Sequence, residues 1–119
     1  MLRGGQDVIL GAVRDEQFGP LIMFGSGGIE VETTRDVAFA LAPLSRKEVE
    51  DLIDSTQAGR RLGGVRGLAP ADREAVVLAV LRLAQLAVDQ AEIAEVEINP
   101  LRVLAPGEGA LALDVRLRV

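Results

Sequence analysis

Histidine and cysteine are both absent from these 119 residues, and the aromatics are three phenylalanines with no tryptophan or tyrosine. Without histidine the chain has no imidazole base, no imidazole metal ligand and no residue to carry a phosphohistidine. Without cysteine there is no disulfide framework and no thiolate chemistry, which fits a reducing cytoplasm. The scarcity of aromatics removes base-stacking platforms. Thirteen basic against eighteen acidic side chains leave a net charge of −5, spread along the chain, where a nucleic-acid binder would show a basic stripe. No apolar run approaches the ~18 residues that would suggest a membrane span. The opening MLRGGQDVILG turns acidic and glycine-bearing too early to resemble a secretory signal. Whatever chemistry the chain performs must use carboxylates, amides, arginines, backbone groups or a partner's residues.

What is present is a 49% hydrophobic chain, read as one domain over 1–119 that buries about two-thirds of its unfolded surface. Gln6–Val13 is β-branched and aliphatic, RDEQFGP is a polar turn, and LIMFG reads as the second strand of a hairpin. GSGG (Gly25–Gly28) ends it. IEVE (Ile29–Glu32) alternates as a half-exposed strand, and VAFALAPL is a further strand stopped by Pro43. Ser45 and Glu48 form a capping-box pattern, with Val49, Leu52 and Ile53 on one helical face. Gln57–Ala69, with four glycines and three arginines, reads as a loop with some local order. Pro70 and Asp72 open a second helix. Its segment Ala75–Val88 is apolar nearly all round, relieved mainly by Arg82 and Gln85, so either the sheet buries it on more than one side or a missing partner does. Strands Glu95–Leu104 and Ala110–Leu117 then flank a tip at Pro106–Glu108. Strands, two helices and two more strands predict an α+β fold with a mostly antiparallel sheet.

The terminal hairpin carries the chemistry. Alternation puts Glu95, Glu97, Asn99, Leu101 and Val103 on one face of its first strand, with Val96, Ile98, Pro100 and Leu104 on the other. The second strand divides into Leu111, Leu113, Val115 and Leu117 against Ala110, Ala112, Asp114 and Arg116. If burial makes the apolar faces coincide, a turn centred between Pro106 and Gly107 sets Asn99 opposite Asp114, Glu97 opposite Arg116 and Glu95 opposite Arg118. The four residues at Glu97–Arg116 and Glu95–Arg118 are explained equally well as ordinary cross-strand ion pairs, each contributing about 0.2–1 kcal/mol. Asn99 and Asp114 disfavour strands and do not neutralise one another. An amide oxygen and a carboxylate projecting together suit a hard cation such as Mg²⁺, completed by phosphate oxygens; on geometry alone, that reading stands beside a purely structural one.

EINPL followed by LALDVRL resembles the C-terminal lobe of the ATP-grasp fold in the succinyl-CoA synthetase superfamily. DVILGAVRDEQFGPLIMFGSGGIEVE and DVAFALAPLSRKEVEDLI narrow the resemblance to the ADP-forming acyl-CoA synthetases, over nearly the whole chain. The resemblance implies a nucleotide held between two α+β lobes and a metal held by Asn99 and Asp114, with Glu97 taking part through water or through Arg116. It implies that acid, CoA and ATP interconvert with acyl-CoA, ADP and phosphate through an acyl phosphate and a phosphohistidine. With no histidine here, that residue belongs to a CoA-binding domain or subunit elsewhere. The N-terminal ATP-grasp lobe, with its glycine-rich lid, adenine-contacting hinge and phosphate-gripping lysines, would likewise be a partner. Arg14 and Arg116 are the candidate catalytic cations; the rival reading of Arg14 is a solvated turn arginine. Gly25, Gly27 and Gly28 either cradle phosphate or an approaching loop, or make a tight turn requiring positive φ. Arg60, Arg61 and Arg66 face CoA or a partner domain, or simply solvent. The family usually has glutamate where this chain has Asp7. A stand-alone, inactive binding or assembly module is the alternative to an enzyme half, and exposed edges with apolar surface also fit a homodimer.

Overall fold

The structure, a computed structural model, describes residues 5–27 and 36–119. The expected IEVE strand and Gly28 lie outside the described residues.

The first hairpin is longer than its turn signal suggested. β1 (Gln6–Asp15) and β2 (Gly19–Ser26) pair from Val8 opposite Ser26 to Asp15 opposite Gly19. RDEQFGP therefore keeps only its centre as turn. The Asp15 carboxylate accepts the N–H groups of Gln17 (2.8 Å) and Phe18 (3.0 Å), and Gly19 closes the turn at φ 86°. β3 (Val37–Leu41) pairs with β2, and β4 (Glu95–Val103) with the other side of β1. β5 (Ala110–Ala112) and β6 (Val115–Arg118) both pair with β4. The sheet order is β3-β2-β1-β4-β5, with β6 beside β5 on the same edge, and every pair is antiparallel.

Among the described residues there are three helices where two were expected. α1 (Arg46–Asp54) starts as its sequence says: the Glu48 N–H donates to Ser45 Oγ (3.1 Å) and the Ser45 N–H donates to Glu48 Oε1 (2.8 Å). The added element is α2 (Gln57–Arg61), a single turn inside the segment read as a loop. Buried Thr56 caps it by accepting the Gly59 N–H at 3.0 Å. Gly59, which lowers helix propensity and so hid the turn, is required by packing: a Cβ there would lie 1.8 Å from the Ile53 carbonyl oxygen. α3 (Arg73–Asp89) is capped by Asp72, whose Oδ1 accepts the Ala75 N–H at 3.1 Å. The same carboxylate reaches the hairpin tip through Oδ2, which accepts from Gly107 (3.1 Å) and Gly109 (2.8 Å). The Asp72 N–H in turn donates to the Leu104 carbonyl at 2.7 Å.

The three described helices pack on one side of the sheet. Val8, Leu10, Ala12, Ile22 and Phe24 from the strands meet Val49, Leu52 and Ile53 of α1 and Val76, Val77, Val80 and Leu83 of α3. Each large apolar side chain fully removed from water there contributes about 1.5–3 kcal/mol. α3 contacts β1, β2 and β4, while its flank bearing Leu78, Leu86 and Val88 stays exposed. The helix is thus covered by the sheet and, along one flank, by α1, and the sheet itself buries one side of it, not several.

β4 departs from simple alternation. It pairs with β1 as Leu10 opposite Ile98 and then Val8 opposite Leu101, so Asn99 and Pro100 together oppose the single residue Ile9. This bulge turns Leu101 and Val103 into the core with Val96, whereas strict alternation had placed them on the face of Glu95 and Glu97. The expected apolar face of the second strand is corrected too. Leu111 stands opposite Arg102, on the side of the sheet away from the helices, while Val115 and Leu117 stand opposite Ile98 and Val96, so the four leucine and valine residues do not share one face, and Leu111, Leu113, Val115 and Leu117 are 47–61% exposed.

Candidate functional site

Among the described residues nothing packs on the opposite face of the sheet, and strand pairing arranges that face in rows. One row runs Phe39, Met23, Gly11, Glu97, Arg116 and the next Leu41, Leu21, Val13, Glu95, Arg118. The open face is therefore apolar on β3, β2 and β1 and ionic on β4 and β6. Between the halves, where Gly11 contributes no side chain, lies a depression of about 190 Å³ bordered by Met23, Phe39, Val13, Glu95 and Glu97.

The register of the terminal hairpin is the one its sequence predicts: Glu95 opposite Arg118, Glu97 opposite Arg116, and Leu101 opposite Ala112. Asn99 stands opposite Asp114 in the same register, its N–H donating to the Asp114 carbonyl at 2.9 Å. Of the two expected ion pairs only Glu95–Arg118 closes, at 3.1 Å. Glu97 and Arg116 sit across from each other without forming an ion pair. The side chains of Glu97, Asn99, Asp114 and Arg116 make no hydrogen bond or ion pair with another described residue. Two hard oxygen donors, one amide and one carboxylate, thus stand side by side and uncommitted. No group of three acidic side chains positioned to hold a metal occurs among the described residues. This donor set fits Mg²⁺, which keeps much of its shell for water and phosphate, and does not make a self-sufficient cage.

The other predicted site residues lie elsewhere. Arg14 is in β1, not in a turn, and points to the helix side. It donates to the carbonyls of Ala87 (2.5 Å), Gln90 (3.3 Å) and Ile93 (3.4 Å), neutralising the C-terminal end of α3. It is half-buried and bonded to backbone, and not on the face of Asn99. Gly25 and Gly27 are not positive-φ glycines. Gly25 is a strand residue whose Cβ would lie 2.2 Å from the Asp36 carbonyl, and a Cβ at Gly27 would press on the Asp7 and Val8 backbone at 3.2–3.3 Å. Close approach of neighbouring chain explains both, in place of a tight turn. Asp7 forms a two-pronged ion pair with Arg102 across β1 and β4. Arg60 donates to the Asp54 carbonyl and Arg61 to the Gln57 side chain, while Arg66 is exposed.

One polar residue escaped the sequence reading. Asp36 accepts from the Ser26 hydroxyl (2.5 Å) and from the N–H groups of Gln57 (2.9 Å) and Ala58 (2.8 Å), joining the end of β2 to the start of α2. Burial pushes its carboxyl up, but those hydrogen bonds and the charge of Arg61 outweigh it and hold the pKa below the ordinary value. No motif marks it, since its partners lie 10 to 22 residues away.

Comparison with known proteins shows the family. Residues 1–119 match the ATP-grasp domain family. The chain is 44% identical over 117 residues to the 4-hydroxybutyrate–CoA ligase [ADP-forming] of Nitrosopumilus maritimus, covering 98% of this chain and 17% of that protein. It is 42% identical over 118 residues to the acetate–CoA ligase [ADP-forming] II subunit beta of Pyrococcus furiosus, covering 98% of this chain and 50% of that subunit. Among solved structures it superposes with TM-score 0.89 and 41% identity on a dinucleotide-forming acetyl-coenzyme A synthetase 1 of Ca. Korarchaeum cryptofilum, covering 97% of this chain and 53% of that one. That structure was determined with coenzyme A and Mg-AMPPCP, its phosphohistidine segment pointing towards the nucleotide-binding site. The chain thus spans about half the length of the beta subunit it matches and a sixth of the longer ligase.

Proposed function

Because the chain belongs to the ATP-grasp domain family, as the C-terminal lobe of that domain in ADP-forming acyl-CoA synthetases, we propose that its open sheet face is one wall of a Mg²⁺–nucleotide site. The reaction served is acid, CoA and ATP to acyl-CoA, ADP and phosphate, by way of an acyl phosphate and a phosphohistidine carried on another domain. The observation that carries this reading is the register placing Asn99 opposite Asp114, both uncommitted, beside a depression on the open face.

In this reading Asn99 and Asp114 supply two oxygen ligands to the metal, which neutralises phosphate charge when bound. Arg116, without an ion pair among the described residues, faces the phosphate oxygens, with Glu97 opposite it on β4 to orient it through water. Phosphoryl transfer depends on positioning and on stabilising charge spread over the phosphoryl oxygens, which is what fixed cations and ligands on a rigid strand pair provide. The apolar half of the face, with Met23 and Phe39 beside the Gly11 gap, offers a dry floor for the uncharged part of the nucleotide. The N-terminal ATP-grasp lobe and a CoA-binding, histidine-bearing domain supply the rest. Location in the cytoplasm, where nucleotide and CoA are available, belongs to the same reading.

The test is reconstitution: this chain mixed with the N-terminal lobe and the histidine-bearing domain, followed by acid- and CoA-dependent ADP release. Asn99→Ala and Asp114→Ala should each lower kcat by about 10²-fold or more while leaving circular dichroism unchanged, because both residues lie outside the core. Full activity in those variants would remove the metal assignment. A wild-type chain that binds its partners yet never yields turnover would instead support an inactive binding module.

A further inference from the structure

We infer that the edge formed by β5 and β6 pairs with the same edge of a second copy, antiparallel and centred on Val115, so that two chains share one continuous sheet. The inference does not rest on the nucleotide reading. It starts from where the backbone groups point. The Asn99 N–H donates to the Asp114 carbonyl at 2.9 Å and the Ala94 N–H to the Arg118 carbonyl at 2.8 Å, so from Asp114 onward the even-numbered residues face β4, while the Leu113 N–H is already used by β4, donating to the Pro100 carbonyl at 3.0 Å. Alternation then turns the N–H and C=O groups of Val115 and Leu117 to the other side, where no described strand pairs with them.

Proteins that keep such an edge from associating place lysine or proline on it, or cover it. Ala110–Val119 contains neither residue, and Val115 and Leu117 are 54% and 61% exposed. The segment Leu113-Asp114-Val115-Arg116-Leu117 is also its own complement when run antiparallel about Val115. Asp114 of each copy then stands opposite Arg116 of the other, twice by symmetry, and Leu113 stands opposite Leu117. Other registers lose this match. Centring on Leu117 sets Arg116 against Arg118, and centring on Leu113 sets Asp114 against Ala112. Charge therefore selects both the partner and the register. Asp114 and Arg116 are available for it, since neither forms an ion pair with a described residue of its own chain. Four or five residues a side is a small interface, well below the ~1,200 Å² of a standard stable one, so the dimer is weak.

Sedimentation velocity from about 5 to about 500 µM chain, in EDTA and without nucleotide, should show a concentration-dependent dimer. Asp114→Arg and Arg116→Asp should each raise its Kd about tenfold by facing like charges, and the double variant Asp114→Arg/Arg116→Asp should return it to near the wild-type value. Reversal at Arg82, on α3, should leave it unchanged. In the wild-type chain the Val115 and Leu117 amides should exchange more slowly as concentration rises. A monomer throughout the range, a Kd indifferent to the single reversals, or exchange at Val115 and Leu117 independent of concentration would each overturn the inference. The exchange experiment requires no variant to fold. Association only with a different protein, through this same edge, would overturn it as well.

Discussion

At the scale of single residues, Arg14 and Asp36 are charges whose partners decide their roles. Arg14 sits between Val13 and Asp15 at the end of a strand that sequence alone assigns to a turn, and only the folded chain brings the Ala87 and Gln90 carbonyls to it. Arg14→Ala should therefore destabilise the chain by about 1–3 kcal/mol through lost charge-assisted hydrogen bonds, read as a lower denaturation midpoint. Activity per folded molecule in the reconstituted mixture should be unchanged, because the guanidinium lies on the helix side. Asp36 makes a pH-dependent contribution. Its folded pKa lies below its unfolded one, so the stabilisation it gives is complete above the unfolded value of about 3.9 and is lost as pH falls through the folded value. Denaturation midpoints measured on the acid side should fall less steeply in Asp36→Asn than in wild type. An equal slope in both would remove Asp36 as a source of acid sensitivity. The juxtaposition of Asn99 and Asp114 was legible because two strand-averse polar residues fell on one face of a hairpin whose turn could be centred. Asp36 was not, because its role exists only between distant segments.

At the scale of elements, strong local chemistry was readable and compensated chemistry was not. The Ser45–Glu48 box starts α1 as its residues demand, and Asp72 starts α3. α2 was hidden because Gly59 argues against a helix, although the close approach to Ile53 requires a glycine there. The β4 alternation failed for a similar reason. A period of two cannot show where one residue is added without pairing, and the bulge at Asn99–Pro100 moves Leu101 and Val103 from the polar face to the core. Glycines divide along the same line. Gly25→Ala should cost about 1–3 kcal/mol, since the new Cβ overlaps the Asp36 carbonyl and the β3 backbone must shift. Gly63→Ala, with nothing within 4 Å of its Cβ, should be neutral or slightly stabilising. Urea midpoints of the two variants, compared with wild type, check the contrast.

For the whole molecule, the decisive property is a sheet clothed on one side. The fold class and the terminal hairpin's register could be read from the order and polarity of the segments. The open face could not, because its Phe39, Met23 and Val13 are as apolar as core residues in the sequence. Stability should be distributed accordingly. The amides of Val8, Leu10 and Ala12, in a strand flanked by β2 and β4 and packed under α3, should exchange slowest, and those of β6 in dilute solution fastest. Peptide-resolved hydrogen exchange would read this order, and equal protection in β1 and β6 would contradict it. The two ends of α3 have a mechanical consequence. At its start Asp72 grips the hairpin tip through Gly107 and Gly109, and at its finish Arg14 ties it to β1, while the Ala94 N–H, just beyond the helix, donates to Arg118 of β6. Helix and hairpin are thus braced at both ends like the frame of a stiff jaw. Asn99 and Asp114, midway along that frame, have little room to move separately, so if they hold a ligand as proposed, the hairpin and helix would shift with them as one piece.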